Sequence, residues 1–305
     1  MRLWRAGHLA RAPVELDRAV ARYVDCAADP RELAGALLTL GDFQFQLARY
    51  AEAEAVYRRA VDALGSAPAA VCVDALARLG HSQRRQGRFD VAEATFRAAL
   101  RVDADSGVAR NGLGVVYKDA GRFGEAAEQY AAALAGSGVD VALRADVFHN
   151  LAGLEHAQGR FAEAVGPARE ALALRERVHG GRATEVAADA AVLGAVLAGL
   201  GDLDEAEALV QRAYGLWTRR FGADHYEAAV SLHNLAAIQV RRGDFGAASD
   251  TLREVLSIKR RTLGPRHCEL AAVLNNLAAV CERQGDVEAA AEFRAEALSL
   301  HDTQP

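Results

Sequence analysis

Residues 226–245 read Y-E-A-A-V-S-L-H-N-L-A-A-I-Q-V-R-R-G-D-F, and residues 268–287 read C-E-L-A-A-V-L-N-N-L-A-A-V-C-E-R-Q-G-D-V. Asn234-Leu235-Ala236 returns as Asn276-Leu277-Ala278 and Gly243 as Gly285, each after 42 residues. The stretch Phe221-Gly222-Ala223-Asp224-His225 returns, at the same shift, as Leu263-Gly264-Pro265-Arg266-His267. A fixed period of this size marks a chain assembled from stacked copies of one supersecondary unit.

Followed towards the N-terminus, the turn residue of this unit recurs at Gly7, Ala48, Gly87, Gly121, Gly159, Gly201, Gly243 and Gly285. Two residues later stands a bulky apolar side chain (Leu9, Tyr50, Phe89, Phe123, Phe161, Leu203, Phe245, Val287), and three further on an alanine. Apolar residues on both sides of each turn fall at helical spacing, so each unit is two amphipathic helices. The turn glycine ends the first helix, where a left-handed backbone is least costly without a Cβ. Neither helix buries its apolar stripe alone, so the units must stack. The expected fold is all-α: a right-handed superhelical solenoid of antiparallel helix pairs. Residues 1–32 hold only a second helix, a partial N-terminal repeat, and 33–305 hold seven full repeats in one continuous solenoid.

These residues resemble the tetratricopeptide repeat, which carries Leu-Gly in its first helix, Gly-x-Tyr/Phe at the turn, then Ala, an aromatic and Ala in its second. The third repeat matches best, with Leu113, Gly114, Tyr117, Gly121, Phe123, Ala126, Tyr130 and Ala133. The 42-residue units of the C-terminal half are similar to the kinesin-light-chain subtype, with its Leu-Gly-Pro-x-His linker and Asn-Leu-Ala triplet. Repeat five departs from it, with Val192-Leu193-Gly194 for the triplet and Gly180-Gly181-Arg182-Ala183 for the histidine linker. The resemblance implies a non-catalytic scaffold that binds a peptide or protein segment in its concave groove. A ligand- or peptide-sensing module, like the C-terminal sensors of bacterial signalling ATPases, is the alternative. A third is an enzyme using His149, His156 or His233 as acid or base.

Composition narrows the partners. A net charge of −5 over 305 residues is too mild to argue for nucleic acid or an anionic membrane. No window approaches the roughly 20 apolar residues of a membrane span. Cys26, Cys72, Cys268 and Cys281 have no metal-like or paired spacing, so free buried thiols in a reducing cytoplasm are expected. No catalytic, cofactor or metal motif is present. Gly112-x-Gly114 has no preceding strand and reads as helix packing rather than a phosphate loop. His149 and His156 stand about 10 Å apart along a helix axis, too far to share a metal unaided.

With the turn glycine counted as position 15, positions 2, 5, 6, 9, 12 and 13 share one face of the first helix at about 100° per residue. Leu and Gly at positions 7 and 8 belong to the opposite, core face, so the first set is expected to line the inner wall. Repeat two places Arg78, His81 and Arg85 there, repeat three Asn111 and Lys118, and repeat four His149 and Asn150. Repeat five offers only Ala188, Ala191, Val192, Ala195 and Ala198, an apolar floor. Repeat six adds His233 and Asn234, and repeat seven Asn275, Asn276 and Arg283. Asn150, Asn234 and Asn276 suit a ladder that donates to and accepts from a peptide backbone, or else they bond to neighbouring helices and hold the stack. Between Arg78 and Arg122 nine Arg or Lys face five Asp or Glu, a basic cluster suited to an acidic ligand. The chaperone-type carboxylate clamp is missing, since its positions carry Leu38, Asp42, Arg78, Val108 and Gly112. His225 and His267 are expected to fix the inter-repeat linkers as hydrogen-bond donors. An uncapped stack exposes apolar surface at its ends, so self-association, or docking of another domain, through Leu3, Trp4, Leu9 and Leu16 is expected.

Overall fold

The computed structural model describes residues 29–301, apart from 48, 66, 137 and 138, together with Arg18. Leu3, Trp4, Leu9, Leu16, Cys26 and the turn residues Gly7 and Ala48 lie outside the described residues, as does most of the expected partial repeat. Among the described residues seven helix pairs follow one another. They are α1 (Pro30–Gln46) with α2 (Tyr50–Leu64), α3 (Ala69–Arg85) with α4 (Phe89–Val102), and α5 (Gly107–Asp119) with α6 (Phe123–Ala135). Then come α7 (Val141–Ala157) with α8 (Phe161–His179), α9 (Ala187–Leu200) with α10 (Leu203–Phe221), α11 (Tyr226–Arg242) with α12 (Phe245–Leu263), and α13 (Glu269–Gln284) with α14 (Val287–His301). There is no strand among the described residues. They fall into two compact units, divided between Asn150 and Leu151.

The turns form for the reason their glycines suggest. Gly87, Gly121, Gly159, Gly201, Gly243 and Gly285 all have φ between 72° and 95°. In this left-handed conformation the chain reverses while its N–H groups cap the last carbonyls. The Gly243 and Asp244 N–H groups, for example, donate to the carbonyls of Val240 and Gln239. The longer period downstream comes from the second helix. Here α8, α10 and α12 each run 19 residues, whereas α4 and α6 run 14 and 13.

The two helices of a pair approach through a gap at position 8. A Cβ added at Gly41 would lie 2.4 Å from the Tyr57 ring, one at Gly80 2.7 Å from Phe96, and one at Gly114 2.5 Å from Tyr130. Each ring stands nine residues beyond its turn and is almost fully buried. Phe96 is also overlaid by the next repeat, since a Cβ at Gly112 would come within 2.1 Å of it. Gly112 and Gly114 are therefore both packing glycines, as their sequence context implies. The alanines five residues after the turns, from Ala53 to Ala290, are at most 1% exposed and let the second helices close against their neighbours.

Two carboxylates among the described residues are buried, Glu54 and Asp189, and Asp189 pairs with Arg175 at 2.8 Å. Glu54, 4% exposed, accepts from Arg58 (2.5 Å), Arg88 (2.7 Å), Gln86 (2.8 Å) and Gln83 (3.4 Å). Burial pushes its pKa up, but the amide hydrogen bonds and the two guanidinium charges outweigh that and hold it below the usual carboxylate value. It ties α2 to α3 and to the start of α4.

Gly114→Ala should destabilise the protein by about 1–2 kcal/mol in urea melts, because overpacking against Tyr130 exceeds the gain in helix propensity. Gly35→Ala, whose Cβ would meet nothing within 4 Å, should stabilise it by up to about 1 kcal/mol.

Candidate functional site

Successive first helices are joined at one register. The position-6 amide of one repeat reaches position 5 of the repeat before it. Asn150 Nδ2 donates to Asn111 Oδ1 at 3.0 Å, Asn234 Nδ2 to the Ala191 carbonyl at 3.4 Å, and Asn276 Nδ2 lies 2.7 Å from His233 Nε2. Each bond uses one amide N–H of a group that has a second N–H and a carbonyl oxygen. Asn150 and Asn234 are half-buried, while Asn276 and its neighbour Asn275 are exposed.

Position 13 shows a second register, which sequence reading missed. In repeats two, five and seven it sits over the bulky residue that begins the preceding second helix. Arg85 lies 4.9 Å above the Tyr50 ring and donates to its hydroxyl at 2.6 Å, and Arg283 lies 5.9 Å above Phe245. In repeat five the same place is Gly199, where a Cβ would stand 2.3 Å from the Phe161 ring. Pairing each position 13 with the aromatic of the previous turn would have found this in the sequence. Val287, the matching residue of α14, is 71% exposed.

Both units have a hollow on this face. In the first, His81, Val108, Asn111 and Asp146, with Asp140, Ala142 and Leu143, line a pocket of about 300 Å³. In the second, Ala236, Ala237, Val240, Arg241 and Leu252 face Asn276, Ala279, Val280 and Arg283 around about 320 Å³. Most of these side chains occupy positions 2, 5, 6, 9, 12 and 13.

The basic cluster is largely committed within the protein. Arg78 pairs with Asp42 and, at 3.1 Å, with Asp74; Arg84 pairs with Asp119, which Lys118 also approaches at 3.4 Å. Arg88 pairs with Glu54, Arg97 with Glu93, and Arg122 with Glu93 and Glu125. The count from Arg78 to Arg122 left out Asp42, Glu54, Asp74 and Glu125, which belong to flanking segments but meet these cations in space.

Three expectations need correction. His225 and His267 fix their linkers as acceptors rather than donors: each Nδ1 takes the N–H two residues on, at 3.3 Å, because a helix start presents N–H groups. His225 is further held by stacking on Phe221 and Trp217. The described thiols are free of disulfides, but only Cys281 is buried; Cys72 is half-buried and Cys268 exposed. Ala191 and Ala198 are 6% and 5% exposed, because alanine does not reach out between crowded helices, so repeat five shows less open floor than expected.

His81 packs edge-on against Phe96, at 5.1 Å between centroids. Burial, then the Arg84 charge, lowers its pKa to about 3 against the opposing pull of Asp119. Burial and then Lys259 lower that of His233 to about 4. With its ring neutral, His233 Nε2 accepts from Asn276. His149 is half-buried at position 5 of α7, and His156 is exposed, with its ring edge-on to Phe161. Among the described residues no cluster of His, Cys, Asp and Glu could hold a metal ion, and no helix is long and apolar enough to cross a membrane.

The lowered histidine pKa values set a direction for acid sensitivity. Both rings are neutral in the fold, so their contribution is full above about 6.5, the unfolded value, and declines as pH falls towards 4 and 3. Between pH 7 and 5 the unfolding free energy should fall by on the order of 1 kcal/mol per histidine. Denaturant titrations should show a shallower fall for the His81→Leu/His233→Leu variant.

Models of the tetratricopeptide repeat match residues 34–63, 77–141, and 143–214 with 184–261. No curated protein matches. Among solved structures, the APC/C hetero-tetramer Cut9-Hcn1 is similar at 16% identity and a TM-score of 0.58, covering 88% of this chain and 53% of that one. PilW, described as a widely conserved type IV pilus biogenesis factor, is 18% identical with a TM-score of 0.53, over 76% and 94%. A putative kinesin light chain of Podosopora anserina with nearly identical TPR-like repeats is 22% identical with a TM-score of 0.49, over 63% and 92%. At these identities the likeness is one of fold. The matched segments together span well over half of the sequence, and the chain belongs to the tetratricopeptide repeat family.

Proposed function

We propose that the protein is a non-catalytic scaffold that holds a peptide or protein segment on the open face of its first helices. Tetratricopeptide repeats commonly serve protein interaction, and one observation carries the reading to this face. In the second unit Arg241, Asn276 and Arg283, spaced along α11 and α13, converge with small alanines on a hollow floored by Leu252 and Val280. The Asn276 amide, already bonded to His233, has donors and acceptors suited to an extended backbone. The 42-residue spacing from Gly159 onward supports a kinesin-light-chain-like subtype for this part. The free thiols are in keeping with a cytoplasmic setting.

Ala237 and Ala279 are exposed on the hollow, so tryptophan there fills it without entering the core. Affinity capture by Ala237→Trp/Ala279→Trp should lose the proteins held by the unaltered chain by an order of magnitude, with an unchanged far-ultraviolet circular dichroism spectrum. Equal capture by the folded variant would remove the open face from the reading.

A further inference from the structure

The mild net charge of −5 averages over two unlike edges of the second unit. At the turn edge Asp202, Asp244 and Asp286 recur every 42 residues, each exposed at the start of a second helix. At the other edge, where second helices end and linkers cross to the next repeat, Arg177, Arg219 and Arg261 recur at the same interval and are also exposed. This basic edge is continuous. Arg261 reaches Asp224 in the linker after α10, and Arg212 of α10 reaches the Gly181 carbonyl in the linker after α8.

A cation in the last turn of a helix complements the helix dipole, which accounts for Arg177 and Arg219. The dipole does not account for Arg182 and Arg266. Both are exposed in linkers just ahead of first helices, at the positive end, where a cation is disfavoured. Arg177, Arg182, Arg219 and Arg266 have no ion pair with a carboxylate among the described residues. Most carboxylates of this edge are engaged: Glu176 with Arg212, Asp224 with Arg261, and Glu269 with Lys259 and Tyr226, while Glu185 stands exposed. Among these cations lie three half-buried rings. Phe221 and His225 stack at 4.5 Å, Trp217 lies 5.9 Å from each, and Arg220 sits 5.3 Å over Phe221.

We propose that the linker edge of the second unit binds a single-stranded nucleic acid, with Arg177, Arg182, Arg219 and Arg266 on its phosphates and a base against the Trp217 cluster. A line of uncommitted guanidinium groups suits a chain of repeated anions, which releases its condensed counterions on contact. Rings set among cations suit bases beside phosphates, and contact with them requires a base that is not paired in a duplex. An anionic membrane is disfavoured, because these rings are half-buried where lipid insertion needs projecting apolar side chains. This surface is separate from the open face of the first helices, and the two readings stand or fall independently.

The test uses the whole chain and fluorescence anisotropy with a labelled oligouridine strand. The strand should bind, more weakly as salt rises. Arg219→Ala/Arg266→Ala should weaken it about tenfold and lessen the slope of log affinity against log salt by about 1.4. Arg160→Ala/Arg242→Ala, which takes the same charge from the turn edge, should change neither. With Trp4→Phe, Trp217 is the remaining tryptophan, and its emission should change as the strand binds. The proposal falls if the strand does not bind at low salt, if the two double variants lose affinity equally, or if the Trp217 emission stays constant. Binding to phosphatidylserine vesicles without binding to the strand would also overturn it and assign the edge to a lipid surface.

Discussion

The insertion of one second-helix side chain into a gap on its partner helix governs the rest of this structure. Tyr57, Phe96 and Tyr130 each occupy space that any side chain at Gly41, Gly80 or Gly114 would take. This fixes how near the helices lie and which face of each first helix is consumed by packing. The other face is then open by geometry. Later repeats keep the principle with different sizes: Val210 meets Gly194, and Leu252 and Ala168 stand where Ala236 and Ala152 replace the glycine.

Neighbouring pairs are held by fewer and more specific contacts. The amide at position 6, the residue at position 13 and the buried Glu54 each bind one repeat to the one before it. Such contacts use polar groups without leaving them unsatisfied in the interior. They also explain why the first unit's face, despite its arginines, has little uncommitted positive charge. In the second unit Arg241 and Arg283, on the lining of the hollow, stand outside that network.

The fold was legible because its determinants are local and recur: a turn glycine, a bulky apolar residue two positions on and an alanine after that. The faces of the first helices followed from helical phase. The charge cluster was less legible, since sequence distance hides that Asp42 meets Arg78 and Glu54 meets Arg88. For the linker histidines, the place was right but the direction of the bond was wrong, because the donor lies in the backbone of the next helix. The double role of Asn276, joining helices and facing the hollow, needed coordinates.

Almost every contact described joins residues fewer than about fifty positions apart, because within each unit a helix touches mainly the one before and the one after. Loop-closure entropy is then small at every step, and a polypeptide of this kind acquires structure quickly, growing outward from whichever pair forms first. On a ribosome each pair can settle soon after it emerges, without waiting for distant sequence. In such a molecule local opening is easiest where a helix is covered on one side only, and α14 leaves Val287 and Leu298 bare to solvent.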